Sequence, residues 1–188
     1  MVKKYKELEE GDIFSIQVSD NVWTIGQLCN LFASSINGKK YEQYTLAFFD
    51  YKFQCEKEIL KNVIDLDLKK PISIITINGH PLKSYGLNFI VKREVSYQNA
   101  PDFKDDIDPE MGLYKLNSTD FQIILEPFFG IIPWDSYYKD GIIEKHLLKG
   151  VQKRNEVTYM KDYSIEELKQ ILPSDNFKLK GILEKENH

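Results

Sequence analysis

Along GDIFSIQVSDNVWTIGQLCNLF, Phe14, Ile16 and Val18 alternate with Ser15 and Gln17, a period of two that places the apolar set on one face of an extended chain. Ser19-Asp20-Asn21 is a turn cluster, and the β-rich run from Val22 to Leu31 resumes after it, so the segment predicts a β-hairpin. SSINGKK, Ser34 to Lys40, predicts a polar loop, and YTLAFFD, Tyr44 to Asp50, predicts a central strand because its apolar run is unbroken. Pro71 to Gly79, PISIITING, reads as a strand that opens on proline and is β-branched throughout. LNFIVKREV predicts another, with Leu87, Phe89, Val91 and Val95 on one face and Asn88, Lys92 and Glu94 on the other. FQIIL, Phe121 to Leu125, predicts a further short strand. Residues 52–70 have apolar positions at mixed spacing, and both a short helix and a strand stay open there.

Helical signals come late. Asp140 is placed to cap GIIEKHLLK, a helix expected to end at Gly150 with Lys145, His146 and Lys149 near its negative end. YSIEELKQILP has the fuller signature: Ser164 and Glu167 form a capping box, Tyr163 and Leu168 stand at the staple positions, and Pro173 stops the helix. The closing KENH is expected to fray. Strands first and helices in the C-terminal third predict an α+β fold built on a strongly bent antiparallel β-sheet or an SH3-like partial barrel, not a doubly wound parallel sheet. Residues 1–150 are expected to form the domain, with 151–188 a helical extension packing on it.

Length and composition bound the chemistry. A chain of 188 residues suits one medium domain, and an aromatic share of 13%, mostly Phe and Tyr, agrees with a β-rich core. A formal net charge of -4 argues against a phosphate-backbone binder, which carries a basic stripe, so no nucleic-acid partner is expected. MVKKYKELEEGD lacks an apolar leader core, and no apolar run reaches bilayer length, which predicts a cytoplasmic protein without membrane contact. Cys29 and Cys55 share no C-x-x-C spacing and read as buried or half-buried thiols.

Catalytic constellations are thin. His80, His146 and His188 have no metal-ligand spacing, and no G-x-S-x-G, P-loop or dinucleotide fingerprint occurs, so neither a metal, a cofactor nor an enzyme activity is expected. Two stretches stand out. DFKDDIDPE sets Asp102, Asp105, Asp106, Asp108 and Glu110 against Lys104 alone, without the central glycine and terminal glutamate offset of a calcium loop. It reads either as a solvated run or as a surface that steers a basic partner. FFGIIPWDSYYKDG, Phe128 to Gly141, packs aromatics around Gly130 and Pro133. Core burial is the default for such residues, while Trp134, Tyr137 and Tyr138 also suit an interface.

GDIFSIQV from Gly11 and Asp12, Gly26 in WTIGQL, LAFFD, and EPFFGIIPWDSYY with the following Leu147-Leu148 together resemble the immunity protein 26 family of bacterial polymorphic toxin systems, between Gly11 and Gly150. The resemblance implies an α+β fold and a non-enzymatic inhibitor that binds a cognate toxin domain encoded beside it. It also implies that Phe128, Phe129, Gly130, Pro133, Trp134 and Asp135 match a family hallmark. Their expected role is structural: Gly130 and Pro133 set the chain's direction, Trp134 anchors it, and Asp135 bonds the following turn. Toxin contact is then expected at Asp102, Asp105, Asp106, Asp108 and Glu110, with Tyr137 and Tyr138, against the basic groove of a nuclease. The alternative is an SH3-like β-barrel adaptor or nucleic-acid-associated module, since GDIF with a hairpin also resembles such barrels, including the MazF and PemK ribonuclease toxins. The acidic balance and the lack of an Arg-Pro pair after the first hairpin weigh against it.

Overall fold

The computed structural model describes residues 8–36, 39–78, 87–97, 107–108, 113–114, 120–137 and 139–186. The chain divides into two compact units, Met1–Phe121 and Gln122–His188. In the first, β1 (Asp12–Ser19), β2 (Val22–Ile36), β3 (Lys39–Phe49), β4 (Pro71–Asn78) and β5 (Asn88–Lys92) form one antiparallel sheet in the order β4-β3-β2-β1-β5, which does not close on itself among the described residues. The α+β class with an antiparallel sheet follows as the sequence predicts.

The expected hairpin turns at Asp20 and Asn21, and its register pairs Phe14 with Gly26 and Ile16 with Thr24. Gly26 is there for space, since a Cβ would lie 2.6 Å from the ring edge of Phe14. Around it Phe14, Ile16, Leu28, Leu46, Phe48 and Ile75 share one buried face, where Phe89 packs on Phe14 and Phe121 on Phe48 at ring separations of 5.5 and 5.3 Å. SSINGKK is not a loop from end to end. β2 continues to Ile36 and β3 starts at Lys39, pairing Ser34 with Tyr41 and Ile36 with Lys39. A ladder bonds through backbone groups, so polar side chains do not end it.

The single-face pattern expected for β5 also breaks. Val91 pairs with Ile13 but Phe89 pairs with Phe14, so the two point to opposite faces and Ile90 is the extra residue of a bulge. A second bulge falls at Cys29, between the pairs of Leu28 and Asn30. The open segment at 52–70 resolves as α1 (Glu56–Asn62), which buries Ile59 beside Val63. Among the described residues α1 is therefore a helix outside the C-terminal part of the chain. A separate two-stranded ribbon pairs β6 (Ile107–Asp108) with β7 (Leu113–Tyr114).

The second unit holds α2 (Gln122–Phe128), α3 (Ile142–His146), a 3-10 turn at Met160–Asp162, α4 (Ile165–Ile171) and α5 (Phe177–Glu186). FQIIL is thus helical rather than extended. Phe121, Ile124, Leu125 and Phe128 are buried at i, i+3, i+4 and i+7, a helical spacing that outweighs the β-branched pair. Asp140 does not cap the next helix. Gly141, at φ 72°, occupies that position, the Asp140 carboxylate pairs with Lys178, and α3 ends where Leu147 turns extended, short of Gly150. The Ser164–Glu167 capping box forms as read, and Tyr163 packs on the cluster that contains Leu168. Residues beyond Gly150 pack on those before it: Ile132 joins Met160, Leu168, Leu172 and Leu179 in one core, so the boundary between compact units lies ahead of the Gly150 division expected from the sequence. Among the described residues no helix is long and apolar enough to cross a membrane.

Gly130 ends α2. The N–H of Gly130 donates to Pro127 O at 3.1 Å and that of Ile131 to Glu126 O at 2.8 Å, a Schellman closure that needs the left-handed backbone Gly130 adopts at φ 71°. A Cβ there would also stand 2.8 Å from Glu156 O. Gly130→Ala is therefore expected to destabilise the protein by about 1–3 kcal/mol in urea denaturation. An unchanged midpoint would refute this account of the turn.

Candidate functional site

Gly11 and Asp12 turn the chain into β1. Asp12 is buried, its Oδ2 accepts from Glu9 N at 2.9 Å, and its own N–H donates to Glu9 O at 3.1 Å. Gly11 stands at φ 95° with Arg93 O so close that a Cβ would collide with it. Its carbonyl accepts from Arg93 N at 3.0 Å and from Gln27 Nε2 at 3.2 Å.

These bonds belong to a polar network on the other face of the sheet. Gln27 Nε2 also reaches Arg93 O at 2.9 Å, and Gln27 Oε1 accepts from the Tyr97 hydroxyl at 2.7 Å. Cys29 Sγ lies 3.1 Å from that hydroxyl. Burial, and then the neighbouring Cys29, push Tyr97 far above the usual tyrosine range, so it stays a neutral donor. Arg93 turns its guanidinium to the end of α1, donating to Val63 O and Leu66 O at 2.9 and 2.8 Å, where the helix dipole favours a cation. Beside it a shallow recess of about 530 Å³ is lined by Glu10, Lys92, Arg93, Glu94 and Val95. Its charges are mixed, with Lys92 paired to Glu9 and Arg93 engaged at α1, so no single ligand charge is favoured. Cys55, by contrast with Cys29, is exposed, and neither is in a disulfide.

The second concentration of chemistry is the Phe128–Tyr137 block. Phe128, Phe129, Pro133 and Trp134 are buried, and the first two rings meet edge to face at 5.5 Å. Trp134 donates its backbone N–H to Thr158 O at 2.8 Å and its indole N–H to Glu144 Oε1 at 2.6 Å. Asp135 does not bond the following turn. Its Oδ1 accepts from Met160 N at 2.7 Å, twenty-five residues on. Tyr137 is half-buried against the Ile132–Leu179 core.

Around Trp134 the structure gathers residues that sequence reasoning passed over. Lys153 Nζ sits 4.3 Å from the centre of the Trp134 ring and 5.5 Å from that of Tyr159. It donates to Glu144 Oε1 at 3.0 Å and to the Tyr159 hydroxyl at 3.2 Å. Partial burial works against both charges, yet the bonds outweigh it: the indole and the ammonium hold Glu144 below the usual carboxylate range, and Glu144 with Tyr159 holds Lys153 above the usual lysine range. One signal was available in the sequence, because a buried tryptophan needs an acceptor for its N–H, though spacing alone could not say that Glu144 supplies it.

Of the residues expected to touch a partner, Asp102, Asp105, Asp106, Glu110 and Tyr138 lie outside the described residues. Asp108 is in β6, paired with Leu113. His80 and His188 are likewise outside, and His146 closes α3, its pKa lowered by burial and then by Lys145. Among the described residues no three His, Cys, Asp or Glu are grouped to hold a metal ion.

Two measurements check this reading. Because Glu144 titrates below its usual range when folded, its contribution is complete above that range and is lost as pH falls through the depressed value. The stability gap between the wild type and Glu144→Gln should shrink as pH falls below the usual carboxylate range; a constant gap contradicts the assignment. Ser136 Oγ is buried without a hydrogen-bond partner among the described residues, so Ser136→Ala should hold or raise the thermal midpoint, where loss of a bonded hydroxyl would lower it. Set against known proteins, the chain matches no family model, no curated protein and no solved structure.

Proposed function

We propose that this chain is a non-enzymatic immunity protein that binds and neutralises a cognate bacterial toxin, a nuclease, in the cytoplasm of the producing cell. The observation that carries the reading is the segment Asp102–Glu110, which counts five carboxylates to one lysine in sequence and whose Ile107–Asp108 strand pairs in a two-stranded sheet distinct from the five-stranded one. A nuclease groove is basic because it must hold phosphates, and clustered carboxylates can take their place. The overall acidity of the chain adds to the attraction at long range. The resemblance to immunity protein 26 between Gly11 and Gly150 supplies the class of partner. The polar residues described above support it from the other side, since Gln27, Arg93, Asp12 and Asp135 are each engaged in holding the fold.

The test uses the toxin domain encoded in the adjacent reading frame. Replacing Asp102, Asp105, Asp106 and Asp108 together by Asn is expected to weaken binding by about a hundredfold or more and to flatten its salt dependence, read by calorimetric titration at two salt concentrations. Equal affinity and equal salt slope would overturn the assignment. So would retention on heparin at low salt by the free protein, the behaviour of a nucleic-acid module.

A further inference from the structure

The group around Trp134 has the composition of a receptor for an organic cation. It has the aromatic face of Trp134, a carboxylate from Glu144 and the hydroxyl edge of Tyr159 turned on one ammonium, and the Tyr159 ring has Lys161 Nζ 5.8 Å from its centre as well. Such walls attract cations through the ring quadrupole and through direct charge, and they favour alkylammonium because its methylenes lie against the rings. The ammonium present is the chain's own Lys153.

Trp134 and Glu144 have partners other than that lysine, and Tyr159 has its backbone fixed. Trp134 is 4% exposed and fixed by its backbone bond to Thr158 and its indole bond to Glu144. Glu144 stands on α3, and Tyr159 opens the 3-10 turn, where its N–H donates to Asp162 Oδ2 at 2.9 Å. Lys153, by contrast, is on a stretch without helix or strand, and its side chain and that of Glu144 are 37% and 46% exposed. Solvent therefore reaches both the lysine and the carboxylate.

We propose that Trp134, Tyr159 and Glu144 form an alkylammonium-binding site that Lys153 fills in cis, and that the same site accepts an external ammonium, either a free alkylamine or the lysine side chain of another protein. This inference stands apart from the toxin-binding reading and uses none of its residues. A tethered occupant competes at an effective concentration on the order of millimolar, so the wild-type site exchanges only with a cation presented above that level.

The test removes the tethered occupant. Lys153→Ala is expected to lower the thermal midpoint by about 2–4 °C, and methylammonium chloride at tens of millimolar to raise it again saturably, where sodium chloride at equal ionic strength does not. Tryptophan fluorescence should follow the same isotherm. Wild type should need a higher concentration for the same rise, and Lys153→Ala combined with Glu144→Gln should lose it. If Lys153→Ala does not fold, Lys153→Gln removes the charge at similar length and takes the same titration. A second arm replaces methylammonium with a blocked Gly-Lys-Gly peptide. Rescue by the peptide identifies a lysine side chain as the ligand, and rescue by methylammonium alone identifies a small amine. Failure of both to bind the folded Lys153 variant would overturn the proposal.

Discussion

The sheet-bearing unit depends on one buried amide. Gln27 is fully buried in the middle of β2, the strand that pairs with both β1 and β3, and an unpaired carboxamide there would be costly. Its partners are not on neighbouring strands in sequence but on Gly11, Arg93 and Tyr97, so satisfying the amide folds residues 93–97 across the sheet. Once that segment is in place, Arg93 reaches the exposed carbonyls at the end of α1, and Tyr97 sets its ring 6.0 Å from Phe49. A polar residue at an inward position thus specifies where a loop lies. An apolar residue of equal size would bury as well but would take the amide donor from Arg93 O and the amide acceptor from the Tyr97 hydroxyl.

The helical unit solves a different problem with similar means. Its chain reverses sharply after α2, which only a left-handed residue allows, and Gly130 supplies it. The reversal brings Trp134 under Glu144 and Thr158, Asp135 under Met160, and Ser136 under Asn176. Asn176 works at both ends: its Oδ1 caps α5 by accepting from Leu179 N at 3.0 Å, and its Nδ2 donates to Ser136 O at 3.1 Å. Bonds of this reach connect residues 25 to 40 apart, which is how helices of five to ten residues, too short to persist alone, are held.

What was legible in the sequence was local. Alternation at Phe14, Ile16 and Val18 gave β1, the unbroken run at Tyr44 gave part of β3, and the Ser164–Glu167 box gave the start of α4, each because the signal lies within a few residues of its consequence. The bulges at Cys29 and Ile90 were not legible, since an inserted residue shifts the facing of its neighbours without changing any residue's polarity. FQIIL misled because two isoleucines favour a strand locally, while the helical spacing emerges only when Phe128 is counted. At the candidate site Gly130 and Trp134 could be singled out, but Glu144, Lys153 and Tyr159 could not. Their roles depend on a tertiary meeting with the indole that no periodicity encodes.

Lys92 and Lys153 show why that meeting matters. Both ammonium groups are held above the usual lysine range, Lys92 chiefly by its hydrogen bond to Glu9, and Lys153 by bonds to Glu144 and Tyr159 that overcome its partial burial. Lys92 and Glu9 form a shorter contact, 2.6 Å, but both side chains are more than half exposed. Such an exposed pair contributes little because water and salt replace either member readily. Around Lys153 the partners are positioned by third parties: the indole orders the carboxylate, the buried backbone orders the indole, and the 3-10 turn fixes the backbone of Tyr159. A surface ion pair vanishes when one member leaves. A pre-ordered set of walls does not, because the entropy of arranging them is already met by the fold, and that difference separates a cation contact from a cation site.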